Sequence, residues 1–334
     1  MAVTALKKLQ IGKESAFGTS VAATAVLLGT VIDAQPIQDV AFPSEERGIL
    51  AKNIRSYVQK RMATAKIDTE ATYEQIMYFL AGLKGSVAAT TVTGVSTWLY
   101  ARNLAARNFP QFYTLEYGND QQAYKLTSAL MTSLDLSLSA GAPWKLSASY
   151  DAQDMATTTF TASLSQPVVE TALGGLTKLF FNVPAVSPTW GSAVASTLID
   201  ASIKLKTGNH VKHFADGQLT PSSYGEDELE GSFDLTFEFN TAGVAERAAF
   251  DALAGGVTTT RLIRLASAGS NIPASTPTTA KSFTLDFAGV YNKVEPLGNR
   301  DGNQIIKISG MIVYDPTWAK DILATVVNGV PTLI

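Results

Sequence analysis

The sequence predicts a mainly β fold: β-sandwich or barrel-like modules of antiparallel sheet, one flanking α-helix per module, and an internal duplication. Three observations lead there. Phe233, Leu235, Phe237 and Phe239 alternate with Ser232, Asp234, Thr236 and Glu238, the period-two pattern of a strand with one buried face. Leu134, Leu136 and Leu138 alternate with Ser133, Asp135 and Ser137, and Trp144, Leu146, Ala148 and Tyr150 alternate with Lys145, Ser147, Ser149 and Asp151. Gly141, Ala142 and Pro143 form a turn between these runs, so residues 133–151 read as a hairpin. Finally, a strand followed at once by a helix occurs twice, at residues 66–85 and 232–256.

In order, residues 6–11 form a first strand and 12–19 a loop. Residues 31–42 are extended and interrupted by Pro36. Residues 44–61 are a charged loop without either period, carrying Glu45, Glu46, Arg47, Lys52, Arg55, Lys60 and Arg61. Ile67, Thr69 and Ala71 then alternate with Lys66, Asp68 and Glu70. Thr72 and Gln75 are spaced as a capping box. Ile76, Phe79, Leu80 and Leu83 make one apolar stripe, and Gly82 and Gly85 end the helix. Strands follow at 97–100, 112–117 and 123–126, ahead of the hairpin. Residues 154–175, rich in Thr, Ser and Ala, join two modules, 1–175 and 176–334.

The second module opens with strands at 176–181 and 198–205. Residues 208–231 stand where the first charged loop stood. They carry His210, Lys212, His213, Asp216, Glu226, Asp227, Glu228 and Glu230. Asn240 or Thr241 caps the second helix, whose apolar side is Ala245, Ala249, Phe250 and Leu253 before Gly255 and Gly256. Strands at 261–265, 283–287 and 305–314 follow. Asp315 and Pro316 then open a C-terminal helix over 317–327, closed by Asn328 and Gly329. Two short matches, Leu80-Ala81-Gly82 with Leu253-Ala254-Gly255 and Tyr113–Tyr117 with Phe283–Phe287, recur at nearly one separation, which argues for the duplication.

Composition narrows the function. At 334 residues the chain exceeds what one core usually supports. Hydrophobic residues are 46% and charged residues 16%, where about 25% charged is usual, so much of the surface is expected to be covered by neighbouring subunits. The net charge of −3 gives no bulk attraction to nucleic acid or anionic membrane. No run is long and apolar enough to span a bilayer. Lys7, Lys8 and Lys13 ahead of residues 21–32 imitate a signal peptide, but Glu14, Thr24, Gly29 and Thr30 break the pattern.

No cysteine is present, which excludes disulfides and thiolate chemistry. The sequence holds no nucleophile elbow, phosphate loop or dinucleotide fingerprint. His210 and His213 with Asp216 read as loop residues rather than a zinc site. Glu226–Glu230 lacks the register of a calcium loop. Asp151 and Asp154 read as turn residues rather than a catalytic pair. Trp98, Trp144, Trp190 and Trp318 are expected in core or interface packing rather than in base stacking. The expectation is a non-enzyme without cofactor or metal.

Lys13-Glu14-Ser15-Ala16-Phe17-Gly18-Thr19 is similar to the opening of tail tube (major tail) proteins of long flexible-tailed bacteriophages (siphophages). The order that follows is similar too: a strand, a helix ending in Leu80-Ala81-Gly82, the strand Thr97-Trp98-Leu99-Tyr100, a Thr114-Leu115-Glu116 strand and the leucine-rich hairpin. The likeness spans nearly the whole chain. It implies modules that join side by side into a ring around a lumen, and rings that stack into the conduit for DNA ejection. With the module doubled, a trimeric ring of pseudo-sixfold symmetry is expected, which also removes the open sheet edges.

The same resemblance implies a virion tail component, assembled in the host cytoplasm, with a tape measure protein and a tail terminator as partners and double-stranded DNA in transient, non-specific passage. Asp68, Glu70, Asp234 and Glu238 are the candidate lumen-facing residues, because acidic or neutral walls do not trap phosphate. The two charged loops are candidates for ring stacking, through Glu45, Glu46, Arg47, Lys52, Arg55, Lys60, His210, Lys212, His213, Glu226, Asp227 and Glu228. The alternatives are a tail terminator or the inner tube of a contractile injection system, and a secreted carbohydrate-binding β-sandwich.

Overall fold

The computed structural model describes residues 6–29, 31–46, 48–50, 55–84, 88–102, 104, 106–191, 197–252, 258–273 and 275–333. The first ten strands are β1 (Lys8–Lys13), β2 (Ala25–Leu27), β3 (Val31–Ala41), β4 (Tyr57–Glu70), β5 (Thr90–Val92), β6 (Val95–Ala101), β7 (Tyr113–Gly118), β8 (Ala123–Ser139), β9 (Lys145–Ala152) and β10 (Asp154–Thr158). They continue as β11 (Thr177–Asn182), β12 (Leu198–Lys206), β13 (His210–Lys212), β14 (Ser223–Gly225), β15 (Glu230–Glu238), β16 (Thr260–Asn271), β17 (Ala280–Val294), β18 (Gly298–Arg300), β19 (Asn303–Ile312) and β20 (Ile322–Asn328). Helix α1 (Ile76–Lys84) follows β4, and α2 (Thr241–Asp251) follows β15. The fold is mainly β, and its sheet ladders are antiparallel.

One run of eight strands organises the molecule, in the order β3-β4-β9-β8-β12-β15-β19-β17. Two strands leave it to build the opposing layer. The first half of β8 pairs with β7 and β10, and its second half with β9 and β12. The first half of β17 pairs with β16 and β20, and its second half with β19. A strand shared by two layers makes the corner of a sandwich.

In β8 the corner falls near Ser128, whose φ is +52°. Its amide and hydroxyl donate to the buried Glu14 carboxylate at 2.9 and 2.5 Å, and Thr114 Oγ1 donates at 2.6 Å. These bonds hold an unfavourable backbone geometry in place. The corner also explains why β8 is one strand where the sequence pattern reads two.

The inward positions of the long sheet form the core. Leu134, Leu136, Ala148, Ile203, Leu205, Leu235, Phe237, Ile306 and Ile308 are fully buried in one cluster. That cluster crosses the β8–β12 junction without a break. β6 adds a further contact between early and late chain by pairing with β20.

Helix α1 is buried on more than its expected stripe, since Met77, Tyr78 and Ala81 are buried with Ile76, Phe79 and Leu80. Tyr100 and Tyr113 donate their hydroxyls to the carbonyls of Met77 and Tyr78. Half of the capping box is present: Thr72 Oγ1 accepts from the Gln75 amide at 3.2 Å. The Gln75 side chain turns instead to Val26 and Leu28, fixing the segment around β2. Gly85 lies outside the described residues.

Helix α2 is capped by Asn240, which accepts from the amides of Ala242 and Gly243. Its packed side agrees with the expected one at Phe250, which packs against the core, and differs from it nearer the start of the helix. Gly243 and Glu246 are buried while Ala245 is exposed, because Glu246 is drawn inward by Arg261 and by the Tyr291 hydroxyl. Leu253, Gly255 and Gly256 lie outside the described residues.

The C-terminal helix expected over 317–327 is not formed. Asp315 does cap, accepting from the amides of Thr317 and Trp318 at 2.9 and 2.7 Å, but one turn later Ala319 takes φ +57° and the chain reverses. Residues Ile322–Asn328 are β20, inserted between β17 and β6. Ile322, Ala324, Val326 and Asn328 face inward, and the β-branched Ile322, Thr325, Val326 and Val327 suit a strand better than a helix. Among the described residues, no helix is long and apolar enough to cross a membrane.

Candidate functional site

The outer face of the eight-strand sheet is made by the residues that alternate with the core. Successive register pairs place Glu70, Lys145, Ser137, Ser202, Asp234, Ser309 and Lys293 in one row across seven strands. The row beside it holds Asp68, Ser147, Asp135, Lys204, Ser232 and Met311. Period-two pleating forces this result, because one sheet face must carry every second side chain. Asp68, Glu70, Asp234 and Glu238 thus share a single face, although the first pair and the second pair lie far apart in sequence. Lys145, Asp200, Lys204 and Lys307 belong to the same face and were not singled out by the sequence reading.

Charge on this face is interleaved, and several of its groups are partnered. Lys66 lies 3.2 Å from Asp68, whose carboxyl is held below the usual carboxylate range by the Ser147 hydroxyl first and Lys66 next. Ser309 donates its hydroxyl to Asp234, and Asn303 Nδ2 donates to Glu238 at 3.0 Å. Arg300 pairs with Asp200 at 3.0 Å, and Glu295 lies between Lys293 and Lys307 at 3.0 and 3.5 Å. Two shallow depressions open on this face. One, of about 420 Å³, includes Ser137, Lys145, Asp200, Asp234 and Lys307; the other, of about 410 Å³, includes Asp68, Glu70, Asp135 and Lys145. This face therefore offers hydroxyls and charges of both signs.

The charged loops sit elsewhere. The first is shorter than the sequence suggests, since 57–61, with Lys60 and Arg61, belong to β4 and pair with β3. The β-branched and alternating residues further along β4 extend the ladder back through the charged stretch. Arg55 reaches Glu45 at 2.5 Å across the base of the remaining loop, Glu46 is exposed, and Lys60 lies 3.8 Å from Asp39. Arg47 and Lys52 lie outside the described residues.

The second loop folds onto the first part of the chain. His210 and Lys212 lie in β13, paired with β14. Glu226 pairs with Arg107 at 3.0 Å, Asp227 accepts from the Glu228 amide, and His213 is half-buried. Tyr224 packs against Phe17 and Phe112, the Arg61 amide donates to Leu219, and Gln153 donates to Pro221. The Lys13–Thr19 segment is thereby fixed at both ends: Glu14 by Ser128 and Thr114, Phe17 by this aromatic cluster. Among the described residues no three His, Asp or Glu converge as metal ligands.

Comparison with known proteins adds one positive finding. Residues 4–307 match the model of a family described as phage tail tube protein. No curated protein matches the sequence.

Proposed function

Because this chain belongs to the phage tail tube protein family, we propose that three copies close a ring, that rings stack into the tail tube of a long flexible-tailed phage, and that double-stranded DNA leaves through the bore. Membership makes the chain a structural component of the virion tail that assembles with its own copies into a tube. The polar face of the eight-strand sheet lines the bore, with Asp68, Glu70, Asp234 and Glu238 among its residues. The observation that carries this reading is the sheet itself: one face is sealed by the core, and the other alternates hydroxyls, carboxylates and lysines. DNA slides past such a wall because few counterions are released on contact.

Three copies suffice for a sixfold-like ring because each chain supplies two modules, 1–175 and 176–334. The strand pairings support this. β3, β4, β9 and β8 pair in that order in the first, and β12, β15, β19 and β17 in the second. A helix follows β4 and another follows β15. This alignment sets β17 against β8, not against β7 as the likeness of Tyr113–Tyr117 to Phe283–Phe287 suggested. The exposed parts of the two charged loops then face the next ring. A tape measure protein within the growing tube and a terminator at its end are the further partners, and assembly takes place in the host cytoplasm.

Electron microscopy of the concentrated protein, with mass per length, tests the proposal. Tubes with three chains of 35.5 kDa per ring are expected. A persistent monomer, or six chains per ring, contradicts it.

A further inference from the structure

The chain contains one junction between its two strand quartets, β8 against β12, and leaves the two matching edges open. β8 lies at the end of the first quartet and β12 at the start of the second. The corresponding outer strands are β3, hydrogen-bonded to β4, and the second half of β17 with the residues after it, bonded to β19. Among the described strands, neither has a partner on its other side. We propose that β17 and the residues up to Asn299 pair antiparallel with β3 of the next copy, in the register that β8 and β12 already show. This rests on the tube reading and specifies which strands close the ring.

The register follows from a shared irregularity. The β8–β9 ladder slips between Met131 and Ser133, and the β17–β19 ladder slips between Tyr291 and Lys293. Aligning these bulges sets Lys293 on Ser133 and Glu295 on Asp135. Carried across the ladders, the row Ser133, Ser149, Lys66, Asp33 corresponds to Lys293, Ser309, Asp234, Ser202. Asp33 therefore stands for Ser202, and Gln35, two residues on, stands for Lys204. Within the chain Lys204 is opposite Asp135, so Gln35 of one copy is opposite Glu295 of its neighbour, with Ile37 opposite Lys293.

Burial agrees independently. Ala201, Ile203 and Leu205 of β12 are buried beneath β8, whereas their counterparts Ile32 and Ala34 are half-buried and Pro36 is exposed. An added strand would cover them as β8 covers β12.

The absence of cysteine makes the test clean. The full chain carrying Gln35→Cys and Glu295→Cys is assembled under reduction, viewed by microscopy, then oxidised and run on a non-reducing gel. Covalent dimers and closed trimers are expected. Asp39→Cys with Glu295→Cys places the thiols about 13 Å out of register, beyond disulfide reach, and stays uncoupled. Ile37→Cys with Lys293→Cys provides a second in-register pair should the first hinder assembly. Tubes in which both in-register pairs remain reduced, or in which the Asp39 pair couples instead, overturn the register while leaving the tube reading intact. Failure of the unaltered protein to form rings or tubes overturns both.

Discussion

Trp144→Ala lowers the unfolding free energy by about 3–5 kcal/mol, the range for removing a large aromatic from a packed core. Trp144 is fully buried and stacks edge-on against Phe283 with ring centroids 5.3 Å apart. Its indole nitrogen donates to Thr177 Oγ1 at 2.8 Å, and its backbone bonds to Ala71 and Ala172. One residue, through its backbone and its side chain, thus ties the β9 hairpin, the connection after β10 and the start of β11 together. Trp144→Phe keeps most of the apolar contact and chiefly loses the hydrogen bond, so it costs about 1–2 kcal/mol, less than the alanine variant. Urea unfolding of the unassembled chain reads both. A cost below about 1 kcal/mol for Trp144→Ala would show that the two portions are not coupled through this contact.

Phe233→Ala has an effect of the same size, about 3–5 kcal/mol, for a different reason. The Phe233 ring is buried against Phe287 at 5.1 Å and Tyr291 at 6.2 Å between centroids. It occupies space that two glycines leave free: a Cβ on Gly310 would lie 2.4 Å from the ring, and one on Gly289 would lie 2.5 Å from it. Gly289→Ala should therefore destabilise by about 1–3 kcal/mol through overcrowding, because its Cβ would meet only the side chains of Phe233 and Ile263. Combining it with Phe233→Leu should recover part of the loss, since neighbours that compete for one space are not additive. Both are measured by thermal or urea unfolding, and simple additivity of the pair would contradict the packing argument.

Much of this architecture can be read from local pattern. The alternation in β15 and in the β8–β9 hairpin identifies both strands and the residues facing the core, because the pleat leaves no other choice. Asn240 was legible as a cap for the same reason: its side chain needs only the next few amides. What local pattern lacks is neighbourhood. Asp68 and Asp234 were each recognisable as outward-facing, but their shared face depends on β9, β8 and β12 lying between their strands, which is a tertiary fact.

The errors have equally specific causes. Asp315 is a true cap, yet a cap does not determine how far a helix runs, and the β17 and β6 edges outcompeted it for Ile322–Asn328. Glu246 broke the amphipathic reading of α2 because Arg261 makes its burial tolerable. The charge of Lys60 and Arg61 points to a loop, although a hairpin at the sheet edge leaves Lys60 in solvent and lets Arg61 pair with Asp154. Glu14 is the residue with the least local signal: its role depends on Ser128 and Thr114, each about a hundred residues away.

The central claim is that copies of this chain enclose a channel with the hydroxyl-rich face of the long sheet turned inward. A density map of the assembled tube, averaged along its axis, measures that orientation directly. The account predicts Asp68, Lys145, Ser202 and Asp234 on the channel wall, with α1 and α2 outside the sheet. Helices lining the channel, or that row of side chains on the outer surface of the tube, would contradict it.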